Sequence, residues 1–285
     1  MTQYIKSIIY GIVQGLTEFL PVSSSGHLAV FQNVFGAVDE QLSGVTFTLL
    51  MHVGTLAAVL VVYRKDVAGL IKSFFSLVKR LFTGEFKYSK MNTDEKLFCL
   101  LFIALIPLLL GAVLEGTVEF LSAYTFAVGL LWIINGLIFL VSEKISVKQK
   151  KFEEIKPKNA LIVGLFQLFA ILPGISRSGM TITGGVFNGF KRELAVKFSF
   201  ILSIPAILGS VAITVLKDYK DISIGENAGV LFAGVLASFV SGFLAIKLLE
   251  YISKKNTFKA FAYYCIAIGV AAIAFDVIKM VVIGG

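Results

Sequence analysis

The sequence predicts an all-α polytopic membrane protein: six transmembrane helices plus two re-entrant helical hairpins, arranged as an inverted-topology repeat. Three observations carry this. The 285 residues are 57% hydrophobic and 15% charged, with a mean hydropathy of +0.87, whereas soluble domains carry roughly 25% charged residues. Six apolar runs approach the ~20 residues needed to cross the hydrocarbon core: 45–63, 97–114, 119–141, 194–216, 228–249 and 259–283. Two other stretches, 4–36 and 159–190, each hold a short apolar helix, a turn rich in Pro, Ser and Gly, and a second short helix. Broken, polar backbone at membrane depth is tolerated only inside protein or beside a wet cavity. Each half reads as too short to span comfortably, so both stretches are expected to be re-entrant.

The elements form one integral membrane domain over 1–285, with repeats at approximately 1–141 and 159–285. The start of the chain does not read as a signal peptide, since Gln14 and Glu18 interrupt its apolar run without a small-residue cleavage pattern. Cys99 and Cys265 both lie in apolar runs and read as packing residues, with no disulfide framework. Between the first and second spans, Val67–Phe82 alternates apolar residues with Lys72, Lys79 and Arg80. That pattern suits a helix on the membrane surface as well as an ordinary solvated loop helix.

The net charge of +8 is carried by loops, which excludes nucleic acid as the natural partner and sets orientation instead. Basic residues cluster in 64–96 (Arg64, Lys65, Lys72, Lys79, Arg80, Lys87, Lys90, Lys96) and 142–158 (Lys144, Lys148, Lys150, Lys151, Lys156, Lys158). Lys191, Arg192 and Lys197 follow the second hairpin, and Lys254, Lys255 and Lys259 precede the last span. The remaining connections are neutral or acidic: Asp39 and Glu40; Glu115 and Glu119; Lys217, Asp218, Lys220, Asp221 and Glu226. Placing the basic regions in the cytoplasm lets all elements alternate without conflict. The first hairpin then enters from outside, the second from the cytoplasm, and both termini lie outside.

The two hairpins are related in sequence. Aligning Ser23-Ser24-Ser25-Gly26 with Ser176-Arg177-Ser178-Gly179 places Gly11 on Gly164 and Gln14 on Gln167, while Pro21 and Pro173 miss by one position. Three spans separate the copies, and an odd number reverses the direction of insertion. Both turns are therefore expected to meet near the midplane, where inverted repeats build their sites.

The chemistry-bearing residues lie in these turns. Gln14 and Glu18, four apart, share one helix face. An acid at the bilayer centre costs roughly 2.5–3.5 kcal/mol on insertion scales, so such a group is usually functional; the alternative is a structural carboxylate paired with a distant cation. The first turn offers the hydroxyls of Ser23, Ser24 and Ser25, flexible backbone at Gly26, and His27, at a helix start that favours anions. His27 is the candidate acid, base or nucleophile. His52, at the start of a span, is expected to pack or hydrogen-bond locally. In the second turn, Arg177 among Ser176, Ser178 and Gly179 offers a planar guanidinium suited to phosphate. Its alternative is a salt bridge to Glu18, which would itself join the turns. No Walker loop and no zinc-type His/Cys cluster is present. The oxygens of Gln14 and Glu18 with a substrate phosphate would suit a hard divalent cation, Mg²⁺ or Ca²⁺.

Gln14-Gly-Leu-Thr-Glu18-Phe-Leu-Pro-Val-Ser-Ser-Ser-Gly-His27 and Pro173-Gly-Ile-Ser-Arg177-Ser-Gly179 resemble the two signatures of the undecaprenyl-pyrophosphate phosphatase family, also called bacitracin-resistance proteins. The resemblance extends over nearly the whole chain in length and span order. It implies a bacterial plasma-membrane enzyme that removes the terminal phosphate of undecaprenyl pyrophosphate. The released monophosphate would return to peptidoglycan synthesis as lipid carrier. It also implies a divalent cation, a site opening outward, and bacitracin resistance on overproduction. The family's first signature has Glu or Gln at position 14; Gln removes one charge from the metal-binding pair. Carried onto this sequence, Glu18 would hold the metal or orient the base, Ser24 and His27 would be nucleophile and partner, and Arg177 with Ser176 and Ser178 would clamp phosphate. Whether Ser24, His27 or water attacks is left open, with attack by Ser24 and proton transfer to His27 as the working hypothesis.

Two rivals are weighed. PAP2-type lipid phosphatases need a second His after their Ser-Arg element, and no His follows position 52. A polyprenyl-phosphate transporter or flippase would share the inverted repeats and broken helices. Oligomeric state, including a homo-oligomer, is not fixed by the sequence.

Overall fold

The apolar windows fold into helices whose lengths follow their sequence punctuation. The computed structural model describes residues 2–35, 44–84, 86–145, 149–220, 222, 228–254 and 257–283. Asp39, Glu40, Lys148, Asp221, Glu226 and Lys255 lie outside the described residues. Among the described residues the fold is helical, with one isolated backbone bridge between Lys150 and Phe190. In chain order the helices are α1 (Thr2–Phe19), α2 (Ser24–Phe35), α3 (Val45–Val62), α4 (Arg64–Phe82), α5 (Thr93–Leu105), α6 (Glu115–Ser122), α7 (Thr125–Glu143), α8 (Pro157–Phe169), α9 (Arg177–Phe187), α10 (Arg192–Asp218), α11 (Ala228–Lys254) and α12 (Lys259–Ile283).

Among the described residues five helices, α3, α7, α10, α11 and α12, are long and apolar enough to cross a membrane, and a bent pair brings the number to six if it is counted as one broken span. That pair corrects two sequence boundaries. The expected spans 97–114 and 119–141 divide differently: α5 passes into a 3₁₀ segment, Ile106–Leu114, and then bends by 71° into α6. Pro107 lacks the N–H that would continue the α-helical ladder. The next break falls at Tyr124, whose extended backbone precedes α7. Hairpin lengths are also unequal. Helices α2, α8 and α9 have 12, 13 and 11 residues, but α1 has 18, roughly 27 Å at 1.5 Å per residue. The short-helix expectation therefore holds for three of the four halves.

Helix α4 forms where the alternating charge pattern predicted it. Phe74, Phe75, Leu81 and Phe82 are exposed, the side chains a membrane-surface helix would give to lipid. Its other face is tied to α5: Ser76 donates to Glu95, and Arg80 pairs with the same carboxylate at 3.4 Å. Asn92 and Glu95 close a capping box that fixes where α5 begins.

Small residues let the helices that support the site approach closely. Helix α1 runs alongside α11 in the same direction: Ser7 donates to the Val230 carbonyl, and Ser241 to the Gly11 carbonyl. Helix α8 runs alongside α5 and the 3₁₀ segment Ile106–Leu114 that follows it in the same sense, with Gly164 against Ala104 and, just past α8, Ile171 against Gly111. Helices α7 and α12 pack antiparallel through Gly129 against Gly269 and Gly136 against Ala262. At Gly15 an added Cβ would overlap Ser241 and the Ser238 carbonyl. Without a hydrophobic drive in lipid, such contact is the main source of helix association. Gly15→Val is accordingly expected to destabilise the protein by about 1–3 kcal/mol. The check is a lowered midpoint of thermal unfolding in detergent, with Gly116→Val, where the space is open, as the control.

Candidate active site

Each turn is built by the same local device. Ser23 caps α2, its Oγ accepting from the Gly26 N–H at 3.2 Å; Ser176 caps α9, its Oγ accepting from the Gly179 N–H at 3.1 Å. A serine hydroxyl at this position satisfies an orphan donor of the first helical turn. Ser23 carries φ 71°, a left-handed conformation that costs a non-glycine residue free energy and tends to occur at functional sites.

The turns are joined to each other directly. The Gly174 N–H donates to Ser23 Oγ at 3.2 Å, and Ser178 Oγ donates to the Leu20 carbonyl at 3.2 Å. Gly174 has φ 99° and Gly26 stacks against it so closely that a Cβ on Gly26 would touch Gly174 and Trp132. Helix α7 braces both copies. Trp132 Nε1 donates to the Val22 carbonyl at 2.9 Å, while Asn135 accepts from the Ser176 N–H at 3.1 Å. Sequence reasoning missed Trp132 and Asn135; a lone Trp and an Asn inside an apolar span were the available signals.

At the junction, the acid of the first copy meets the base of the second. Arg177 Nη2 donates to Glu18 Oε1 at 2.6 Å, and the two side chains are only 21% and 6% exposed. The other carboxylate oxygen, Oε2, accepts from Ser24 Oγ at 2.8 Å and from Gln14 Nε2 at 3.0 Å. One carboxylate thus receives a guanidinium, a hydroxyl and an amide. A cavity of about 210 Å³ opens beside it, lined by Thr17, Glu18, Ser23, Ser24, Ser25, His52, Ser176, Arg177 and Ser210, with Leu108, Ala170, Ile175, Ala206 and Ile207 as apolar walls. Both α2 and α9 start at this cavity, so two positive helix ends face it.

The sequence candidates separate into two groups. Glu18, Ser23, Ser24, Ser25, Ser176 and Arg177 line the cavity. Gln14, Gly26, His27, Ser178 and Gly179 do not. Ser178 and Gly179 hold the turns together, and Gly26 provides the close approach. Gln14 is fully buried behind Glu18.

The expected pairing of Ser24 with His27 is not made in this structure. His27 Nδ1 lies 2.6 Å from the Ser23 carbonyl and its Nε2 2.8 Å from the Tyr264 hydroxyl. The ring packs edge-on to Trp132 and stacked on Tyr264. Folding back onto the turn and reaching to α12 leaves neither nitrogen for Ser24, whose partner is Glu18. His52, expected to pack or hydrogen-bond locally, does bond the Thr48 carbonyl at 2.8 Å, and among the described residues it is also the histidine that lines the cavity. Its signal was the spacing of Thr48, His52 and Thr55, a polar stripe on one face of an apolar helix.

A resident cation fits these residues poorly. Among the described residues Glu18 is the sole carboxylate lining the cavity, both of its oxygens already accept hydrogen bonds, and Gln14 turns its N–H₂ rather than its oxygen toward it. No cluster of three His, Cys, Asp or Glu occurs among the described residues, whereas hard cations take six or more oxygen ligands.

Fold and site together define a class: an integral membrane protein with an acid, hydroxyl and guanidinium centre formed where two helix starts meet. The chain belongs to the bacitracin resistance protein BacA family, whose sequence model matches residues 7–271. It is 42% identical over 276 residues, 96% of this chain and 98% of the relative, to a protein of Alkaliphilus metalliredigens named undecaprenyl-diphosphatase. Relatives of the same name in Methanosphaera stadtmanae and Corynebacterium glutamicum are 38% and 36% identical, covering 98% and 93% of this chain and 100% and 88% of their own lengths.

Proposed function

We propose that the protein hydrolyses undecaprenyl pyrophosphate to undecaprenyl phosphate and inorganic phosphate, returning the lipid carrier to cell-wall synthesis and conferring bacitracin resistance. The observation that carries this reading is the chain of contacts from Arg177 through Glu18 to Ser24. The Ser24 hydroxyl already donates to the carboxylate that would accept its proton. Arg177 spends one of its five N–H donors on Glu18 and keeps others for the terminal phosphate. A diphosphate drawing on Arg177 weakens its hold on Glu18 and makes the carboxylate a better base. Ser24 Oγ then attacks the terminal phosphorus, its proton passes to Glu18 Oε2, and the bond to the bridging oxygen breaks. The leaving group is a lipid phosphate, stable as an anion, and needs no acid. The rest of the acceleration is positioning and charge neutralisation by Arg177 and the two helix starts.

The names of the relatives favour hydrolysis over transport. The proposal is tested by incubating purified protein in detergent with undecaprenyl pyrophosphate and measuring phosphate; a folded sample that releases none sinks it. We assign the divalent cation, Mg²⁺ or Ca²⁺, to the substrate rather than to the protein, since the diphosphate supplies the oxygens the cavity lacks. Chelation should then lower turnover while leaving the thermal unfolding midpoint of the ligand-free protein unchanged. A midpoint that falls with chelator would point to a resident cation instead.

We place the site's opening on the extracytoplasmic side. A second cavity, sharing His52 and Ser210 with the first, runs to Val45 and Asp218, at the helix ends opposite the basic ones. The inverted repeat is part of the same reading, supported by the α1–α11 and α8–α5 pairs, each of which runs in one direction.

A further inference from the structure

We propose that His52 is the base that activates water in the second half of the reaction. The inference rests on the reading of Ser24 as nucleophile and extends it to a step that Ser24, Glu18 and Arg177 leave without a base. After the first transfer Glu18 holds the proton from Ser24. It is then placed to return that proton to the serine oxygen, the leaving group of the second step. Protonated, it cannot also take a proton from the attacking water. A second base is required within the same cavity.

His27 does not meet the requirement, because both of its nitrogens are engaged away from the cavity. His52 does. Its Nδ1 lies 2.8 Å from the Thr48 carbonyl. A carbonyl only accepts, so Nδ1 carries the hydrogen and Nε2 carries the lone pair. Nε2 has no hydrogen-bond partner among the described residues. Among the described residues, Glu18 and Arg177 are the charged groups that share the first cavity with His52, and Asp218 is the one at the second.

The location of the ring explains how water arrives. His52 lines both the 210 Å³ cavity at Ser24 and a neighbouring cavity of about 310 Å³ between α3 and α10. The second cavity carries two polar stripes with helical spacing, Thr48 and His52 on α3, and Ser210, Thr214 and Asp218 on α10. Such a stripe on a membrane-spanning helix marks a wet face. In the proposed step the water oxygen bonds to the phosphorus carried on Ser24 as His52 Nε2 takes one water proton. The bond from phosphorus to Ser24 Oγ breaks, and Oγ recovers its proton from Glu18. Phosphate leaves, and His52 releases its proton to water in the α3–α10 groove.

The test uses undecaprenyl pyrophosphate labelled with ³²P at its terminal phosphate and His52→Asn, which keeps a donor for the Thr48 carbonyl but has no basic nitrogen. In full-length protein shown to be monodisperse in detergent, the expected result is a burst of one lipid phosphate per chain and label retained on the quenched protein. Steady-state phosphate release should fall by about 10²–10⁴-fold, with partial recovery in His52→Ala on adding free imidazole. A merely structural role would produce neither trapped label nor rescue. Should His52→Asn fail to fold, His52→Gln is read in the same way. The inference is overturned by turnover at the wild-type rate, or by slow turnover without trapped label when rapid quenching of wild type does trap it. If label is absent from wild type and all variants at every quench time while phosphate is still released, the Ser24 reading itself fails and takes this step with it.

Discussion

Replacing Ser24 with alanine is expected to lower phosphate release by about 10³–10⁶-fold, the range seen when an activated nucleophile is removed from a unit that acts together. The side chain is part-buried and bonds Glu18 at 2.8 Å, while the cap of α2 is Ser23. Loss of the Ser24 hydroxyl therefore leaves the turn, its cap and the Glu18–Arg177 pair in place. The unfolding midpoint should stay close to that of wild type and substrate should still bind. Phosphate assay and binding on the same preparation provide the check. A variant that binds substrate and retains more than a few per cent of wild-type turnover would move the attack to water.

Arg177 is expected to give the second large effect, with a different signature. Arg177→Ala removes the cation that the proposed reaction sets against the transferred phosphate, and a comparable transition-state guanidinium is worth about 10³–10⁵-fold in rate. It also strands Glu18, 6% exposed, without its partner, and an uncompensated buried charge costs about 3–5 kcal/mol. Turnover and stability should fall together. Arg177→Lys separates the two: a point charge restores much of the pairing but not the planar fork. Its unfolding midpoint should lie nearer wild type while its turnover stays low. Should Arg177→Lys recover both, the guanidinium geometry would have no special part in the reaction.

These effects share an origin in how the two copies divide the work. With the caps Ser23 and Ser176 superposed in sequence, Ser24 aligns with Arg177 and Glu18 with Ile171. The copies keep the same cap and the same approach to each other but differ at the positions that line the cavity between them. One supplies hydroxyl and acid and the other supplies the cation, so neither half is a site by itself. The buried Gln167, whose amide has no partner among the described residues, stands where Gln14 stands in the first copy.

The sequence by itself determined the helical membrane class, the two broken hairpins, and the residue types that the turns bring together. Apolar run length, charge placement and turn chemistry are local properties and can be read without coordinates. The salt bridge of Arg177 to Glu18 was legible as one of two alternatives, because a buried acid and a buried cation each need a partner. Only the tertiary structure decided which histidine serves the cavity. Adjacency in sequence favoured His27, three residues from Ser24. A side chain so close in a helix can nonetheless turn aside: its ring folds onto the Ser23 carbonyl and bonds Tyr264, 237 residues away. His52 reaches the same cavity because α3 packs beside α10 and α11. That contact depends on non-local helix packing, which residue spacing along one helix does not encode. For the same reason 97–114 read as one straight span, whereas the chain bends by 71° between the 3₁₀ segment and α6.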